Sequence, residues 1–226
     1  MNDAALDNPI WAALHGRHAH CAIGDATALR YPADMAPFVG VRADCATVAD
    51  ATLESLVARD ETMYLLGHAP DVSDAWSLHA HAPLAQMTCG EPLAAVDGPP
   101  IVTLDESRRA DVLALTALVY PHYFRPRTMA MGRYFGIDDG GRLAAMIGER
   151  LATDTCQEIS AICTHPEFTG RGLARRLLAW LTNDLLRQGR LPFLHVSHDN
   201  LRAKRMYDDI GYRTRRDIGF WSLRRA

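Results

Sequence analysis

The sequence predicts an α/β protein: a mixed sheet flanked by helices in the C-terminal half, preceded by a smaller α/β domain. Three observations carry this. From residue 99 onward, short apolar runs alternate with amphipathic helical segments. A strand at 156–164 leads through a glycine-containing turn into the most strongly periodic helix of the chain. Residues 90–100 hold three prolines and two glycines, the composition of a linker, which divides the chain into 1–95 and 99–226.

The C-terminal elements follow in order. Residues 101–104 read as a short strand, and 107–120 as a helix with Val112, Leu115, Leu118 and Val119 at helical spacing. Residues 121–131 carry two prolines and several side chains suited to contact. Residues 134–137 and 142–151 form a hairpin, with Gly140 and Gly141 marking the turn. After the 156–164 strand, 171–188 is a helix that stacks Leu173, Leu177, Leu181 and Leu185 and stops at Gly189. Residues 191–196 are a strand, 200–210 a helix, and 212–223 a final strand or pair. The N-terminal half is less legible: 11–14 and 52–57 favour helix, 62–66 and 76–87 favour strand, and no glycine turn opens a helix there.

The glycine turn carries chemistry. Gly170 and Gly172 let the backbone approach a ligand closely, and the unpaired N–H groups of the first helical turn face it with the positive end of the helix dipole. A diphosphate suits such a site, and a tight structural turn is the alternative. The dinucleotide fingerprint and the P-loop are both absent, because Arg171 separates the glycines and Leu173, Ala174 and Arg175 follow them. Downstream, residues 200–212 read Asn-Leu-Arg-Ala-Lys-Arg-Met-Tyr-Asp-Asp-Ile-Gly-Tyr. Here Asp199 or Asn200 can cap a helix whose apolar face holds Ala203, Met206, Tyr207 and Ile210, and Gly211 ends it.

Together the two stretches resemble the GNAT superfamily of acyl-CoA-dependent N-acyltransferases. Thr169-Gly170-Arg171-Gly172-Leu173-Ala174 matches its Gln/Arg-x-x-Gly-x-Gly/Ala loop except at Thr169, and 200–212 matches its Asn-x-x-Ala-x-x-x-Tyr-x-x-x-Gly-Phe/Tyr stretch. The whole chain resembles the branch related to glycine N-acyltransferases, where the first half is often a degenerate copy of the same fold. The resemblance implies a co-substrate, acetyl-CoA or another acyl-CoA, and no metal. Its diphosphate would lie on Thr169 and Gly170 to Arg175, and its pantetheine arm along the backbones of Ile162, Cys163 and Thr164. Asn200 would contact it, unless it is only an N-cap. Tyr207 would be the acid that protonates the departing thiolate, unless it is a core tyrosine.

The resemblance also implies a carboxylate base on the central strand. Glu158 fills that place and Glu149 competes with it; either could instead be an ion-pair partner of Arg150 or Arg142, and many acyltransferases of this shape use no dedicated base. Acceptor recognition is expected in 120–134, where Tyr123, Arg125 and Arg127 could bind substrate and an arginine could clamp a carboxylate. The same arginines could be solvated loop charges. The expected activity is direct attack of a primary amine, on a small molecule or peptide, on the thioester. The rival from another class is a non-catalytic acyl-CoA sensor or interaction module.

Composition bounds the partners. Of 226 residues, 1–98 carry 4 Arg against 13 acids, and 99–226 carry 20 basic against 14 acidic residues, for a net charge of −3. The basic half suits a polyanionic co-substrate, so a fragment starting near Pro99 is expected to keep CoA binding. A pI of 6.3 and the lack of a reading motif argue against nucleic acid. Five scattered cysteines without a Cys-x-x-Cys pair fit a reducing cytoplasm, and neither a signal peptide nor a membrane span is readable. Arginine outnumbers lysine 23 to 1, which suggests a GC-rich bacterial source. A homodimer is allowed. The pairs His18/His20 and His79/His81 could each share a strand face, but they lack standard metal-ligand spacing.

Overall fold

The computed structural model describes residues 4–119 and 123–226. The N-terminal half contains α1 (Pro9–His15), the short strands β1 (Ile23–Gly24), β2 (Ala28–Arg30) and β3 (Val39–Val41), α2 (Asp50–Leu56), then β4 (Met63–Leu66), β5 (Trp76–Ala80) and β6 (Leu84–Thr88). The C-terminal half runs β7 (Val102–Thr103), α3 (Arg109–Val119), β8 (Tyr134–Asp139), β9 (Arg142–Ala152), β10 (Cys156–Thr164), α4 (Leu173–Arg187), β11 (Leu191–Ser197), α5 (Leu201–Ile210), β12 (Arg213–Ile218) and β13 (Phe220–Arg225). The order expected of the C-terminal half is thus observed. Tyr120, the expected end of α3 and start of the acceptor segment, lies outside the described residues.

A seven-stranded mixed sheet, β12-β6-β11-β10-β9-β8-β7, forms the centre. Only β10 and β11 run parallel in it, and α4 makes the crossover between them. Leu173, Leu177, Leu181 and Leu185 of α4 are 0–6% exposed against the sheet, each burial contributing about 1.5–3 kcal/mol. The β8–β9 hairpin closes from Asp139 to Arg142 through Gly140 (φ 59°) and Gly141 (φ 79°), the left-handed pair that a two-residue hairpin turn requires. At the start of α5, the Asn200 side chain accepts from the Ala203 N–H at 3.1 Å, as expected of a cap.

The division expected at 95–99 cuts through this sheet. β6, from the N-terminal half, pairs with β11 on one side and β12 on the other. β13 leaves the central sheet and pairs with β4 and β5 in a second sheet, while β1, β2 and β3 form a third. A fragment starting at Pro99 would therefore leave two strand edges unpaired at the middle of the core. Contrary to the sequence-based expectation, that fragment should show no cooperative urea transition by circular dichroism. A sigmoidal transition together with CoA binding would show β6 to be dispensable.

Candidate active site

The centre of the sheet opens where its two parallel strands part. β10 and β11 are paired only from Cys156–Leu191 to Glu158–Phe193. Beyond this, β11 stays with β6 through Ser197. β10 instead bulges against β9: Ser160 faces Gly148 but Cys163 faces Met146, so β10 spends one extra residue there. Within the bulge Ala161 has φ +50°, a left-handed conformation unusual for a residue with a side chain. A cavity of about 530 Å³ fills the opening. Ile159, Leu194, Val196 and Tyr207 line it on the α4–α5 face; Phe38, Leu66, Tyr123 and Phe220 line it on the other. The opening thus connects both faces of the sheet at the C-terminal ends of its parallel strands, where ligands of α/β sheets bind.

The glycine turn lies at the same end of β10. Gly170 (φ 81°) and Gly172 (φ 75°) are both left-handed, and Gly172, as the N-cap of α4, offers no side chain to the first-turn N–H groups. A Cβ on either glycine would meet nothing within 4 Å, so it is the backbone angle and the room left beside the helix terminus, not packing, that suit glycine here. Thr169 Oγ1 donates to the Pro166 carbonyl at 2.9 Å, and Arg171 pairs with Asp139 at 2.6 Å while lying 5.0 Å over the Phe168 ring. Leu173 is buried, Ala174 is partly buried, and Arg175 is exposed. The residues present fit a diphosphate held mainly by backbone N–H groups.

The two candidate carboxylates point to opposite faces. β9 carries its own extra residue between Glu149 and Ala152, which sets Ile159 rather than Ser160 opposite Glu149 and so puts Glu158 on the other face. Glu149 faces α4, where Arg133 donates to it through Nε at 2.9 Å and also reaches Asp184 of α4 at 2.8 Å. It does not line the cavity. Glu158 does line it, fully buried. Its Oε2 accepts from Arg150 Nε at 2.7 Å and the Leu151 N–H at 3.2 Å, and its Oε1 from Arg150 Nη2 at 2.6 Å. His195 Nδ1 lies 2.7 Å from the same Oε1. Burial alone would raise the Glu158 carboxyl, but the Arg150 guanidinium, with the His195 hydrogen bond, outweighs it and holds it well below the usual carboxylate range. Because the carboxylate accepts, His195 carries its proton on Nδ1. Its Nε2 then accepts from the Gln86 amide nitrogen at 3.1 Å, while Gln86 Oε1 accepts from Arg215 at 2.9 Å. Glu158 is therefore a saturated, ionised anchor, poorly suited to take a proton directly.

Tyr207, 7% exposed, and Asn200 both line the cavity. So does Ile162, whereas Cys163 and Thr164 do not; burial pushes the Cys163 thiol up to about 12, which leaves it unsuited as a nucleophile. Tyr123 lines the cavity, but Arg125 and Arg127 do not, and Arg127 lies exposed beside Asp34 at 3.3 Å. The His-x-His pairs have other partners. His18 is 2.7 Å from the Tyr31 hydroxyl, with burial pulling it down to about 4, and His81 sits 2.9 Å from Ser222 Oγ. Among the described residues, no group of three or more His, Cys, Asp or Glu is placed to hold a metal ion, and no helix is long and apolar enough to cross a membrane. The residues that sequence reasoning missed are Phe38, Arg150 as a cavity wall, His195 and Phe220. Their signal was nonlocal, since strand pairing rather than spacing brings them together.

Comparison with known proteins agrees with this geometry. Residues 134–221 match the FR47-like protein family. The structure superposes on a protein from Novosphingobium aromaticivorans DSM 12444, assigned as a GNAT-family acetyltransferase, with TM-score 0.89 and 31% identity over 99% of this chain and 100% of that one. A GCN5-related N-acetyltransferase from Kribbella flavida shares the fold at TM-score 0.65 and 16% identity, covering 99% and 95% of the two chains. No curated protein matches the chain. A mixed sheet parted beside a glycine-opened helix is the fold of proteins that transfer acyl groups from acyl-CoA. The chain belongs to the GNAT family.

Proposed function

We propose that the protein transfers an acyl group, acetyl by default, from acyl-CoA to a primary amine on a small molecule or peptide. The observation that carries this is the opening between β10 and β11, which sets a cavity lined from both faces of the sheet at the same end of β10 as a glycine-opened helix terminus. The N–H groups of Gly170 to Arg175 hold the diphosphate, and the Ile162 to Thr164 backbone orients the pantetheine arm. A neutral amine attacks the thioester carbon, the C–N bond forms and the C–S bond breaks. Tyr207 gives its phenolic proton to the departing sulfur, and the proton lost by the amine restores it through solvent. Asn200 holds the start of α5, and with it Tyr207, beside the cavity. Glu158 and Glu149 serve as anchors rather than bases in this scheme, because each is bound to arginine. Kinship with the glycine N-acyltransferase-like branch is part of the proposal, supported by the presence of a folded N-terminal half ahead of the family segment.

Release of free thiol from acetyl-CoA in the presence of mixed amines tests the activity; CoA binding without thiol release would favour a non-catalytic sensor. The co-substrate site has its own test. Gly172→Val places a branched side chain where the diphosphate must approach and forces it into a left-handed conformation. The variant should bind CoA at least about tenfold more weakly by calorimetry. Undiminished affinity in a folded variant would move the diphosphate elsewhere.

A further inference from the structure

The cavity has two chemically different halves. The half on the α4–α5 face contains Tyr207 and aliphatic side chains. The other half is aromatic, and its rings come from distant parts of the chain. Phe38 and Tyr123 are stacked, with centroids 6.2 Å apart and planes at 23°. Behind these rings and outside the cavity lining, Tyr64 meets Tyr123 edge-on at 5.1 Å and stacks on Phe220 at 5.5 Å. His81 lies 5.0 Å from the Phe220 ring.

The charges bordering this aromatic half are already committed. Arg150, the arginine that lines the cavity, is bidentate to Glu158 and lies 4.9 Å over the Phe38 ring. Glu158 accepts from Arg150, His195 and the Leu151 N–H on its two oxygens. Burial, and then His79, lower the His81 pKa, so its imidazole is neutral near pH 7. A ligand carboxylate buried here would lose its hydration without gaining a charged partner, which is costly. An aromatic ring would gain burial and edge or face contacts with the existing rings.

We propose that the acceptor is a primary amine bearing an aromatic ring and no carboxylate. Its ring lies in the Phe38–Tyr123–Phe220 compartment, and its nitrogen reaches the opening between β10 and β11. This rests on the acyl-transfer reading and narrows it. It also departs from the carboxylate clamp expected of Arg125 and Arg127, neither of which lines the cavity.

The test separates binding from turnover. Calorimetric titrations of 2-phenylethylamine, propylamine, glycine and phenylalanine into the CoA-saturated protein compare ring and carboxylate directly. 2-Phenylethylamine should bind at least about tenfold more tightly than propylamine, and phenylalanine, with the same ring plus a carboxylate, at least about tenfold more weakly than 2-phenylethylamine. Tyr123→Ala, at a half-buried position, should erase most of the preference for the ring while changing propylamine binding little; Phe220→Leu should do the same from the other wall. Equal binding of 2-phenylethylamine and propylamine, tightest binding of glycine or phenylalanine, or a uniform loss for all amines in both variants would overturn the proposal. Ring-selective binding with no thiol release from acetyl-CoA would support the compartment and refute acyl transfer instead.

Discussion

Replacing Arg150 with methionine is expected to destabilise the protein by about 3–5 kcal/mol near pH 7, because it strands the Glu158 carboxylate in the core. Arg150 supplies two of the hydrogen bonds to that carboxylate, and the side chains of the pair are 11% and 1% exposed. The His195 ring stays tied through Nε2 to the Gln86 amide, which the Leu6 carbonyl and Arg215 hold in place. The pH dependence follows from the direction of the shift. In the wild type the folded carboxyl lies below its unfolded value, so its stabilisation is fully present above the ordinary carboxylate range and is lost only as pH falls beneath it. In the variant the largest lowering influence is gone and burial dominates, so the folded carboxyl lies above its unfolded value. The variant then takes up a proton on acidification and regains stability. The stability gap measured by urea unfolding should narrow from pH 7 to about pH 5. A loss under about 1 kcal/mol, or a gap independent of pH, would show that Glu158 is not held as a buried ion.

What the sequence made legible was local. The glycine turn, the Asn200 cap, the β8–β9 hairpin and the leucine stripe of α4 each declare themselves within a few residues, and the structure places all four as expected. What was hidden depends on pairing across long separations. β1, β2 and β3 are two or three residues long, too short for a period to show. β6 reads as an ordinary N-terminal strand, and nothing in Leu84 to Thr88 signals that its partners are β11 and β12, more than a hundred residues away. Bulges did the rest. Counting by twos along β9 and β10 does not reveal that Glu149 and Glu158 face opposite sides, because β9 carries an extra residue between Glu149 and Ala152. The aromatic half of the cavity was invisible because residues 38, 123 and 220, which line it, lie far apart in the sequence.

Tyr207→Phe should leave the fold and acyl-CoA affinity nearly unchanged while lowering kcat by about ten- to a thousandfold, near the usual contribution of a general acid. The ring is 7% exposed, packs 6.2 Å from the Tyr212 ring and belongs to the core between the sheet, α4 and α5, and phenylalanine keeps that packing. What the variant loses is the hydroxyl at the wall of the cavity beside the parted strands. If that hydroxyl protonates the departing thiolate, the deficit should shrink for an acyl donor whose thiol is more acidic, because such a leaving group needs less protonation. A purely structural tyrosine would give no such dependence on the leaving group, and its loss would instead lower the melting temperature. The comparison therefore needs kcat for two donors of different thiol acidity, the affinity for CoA and a thermal melt, each in both proteins. Wild-type turnover in the Phe variant, with the chemical step shown to limit the rate, would return Tyr207 to the core and leave the thiolate to be protonated by solvent.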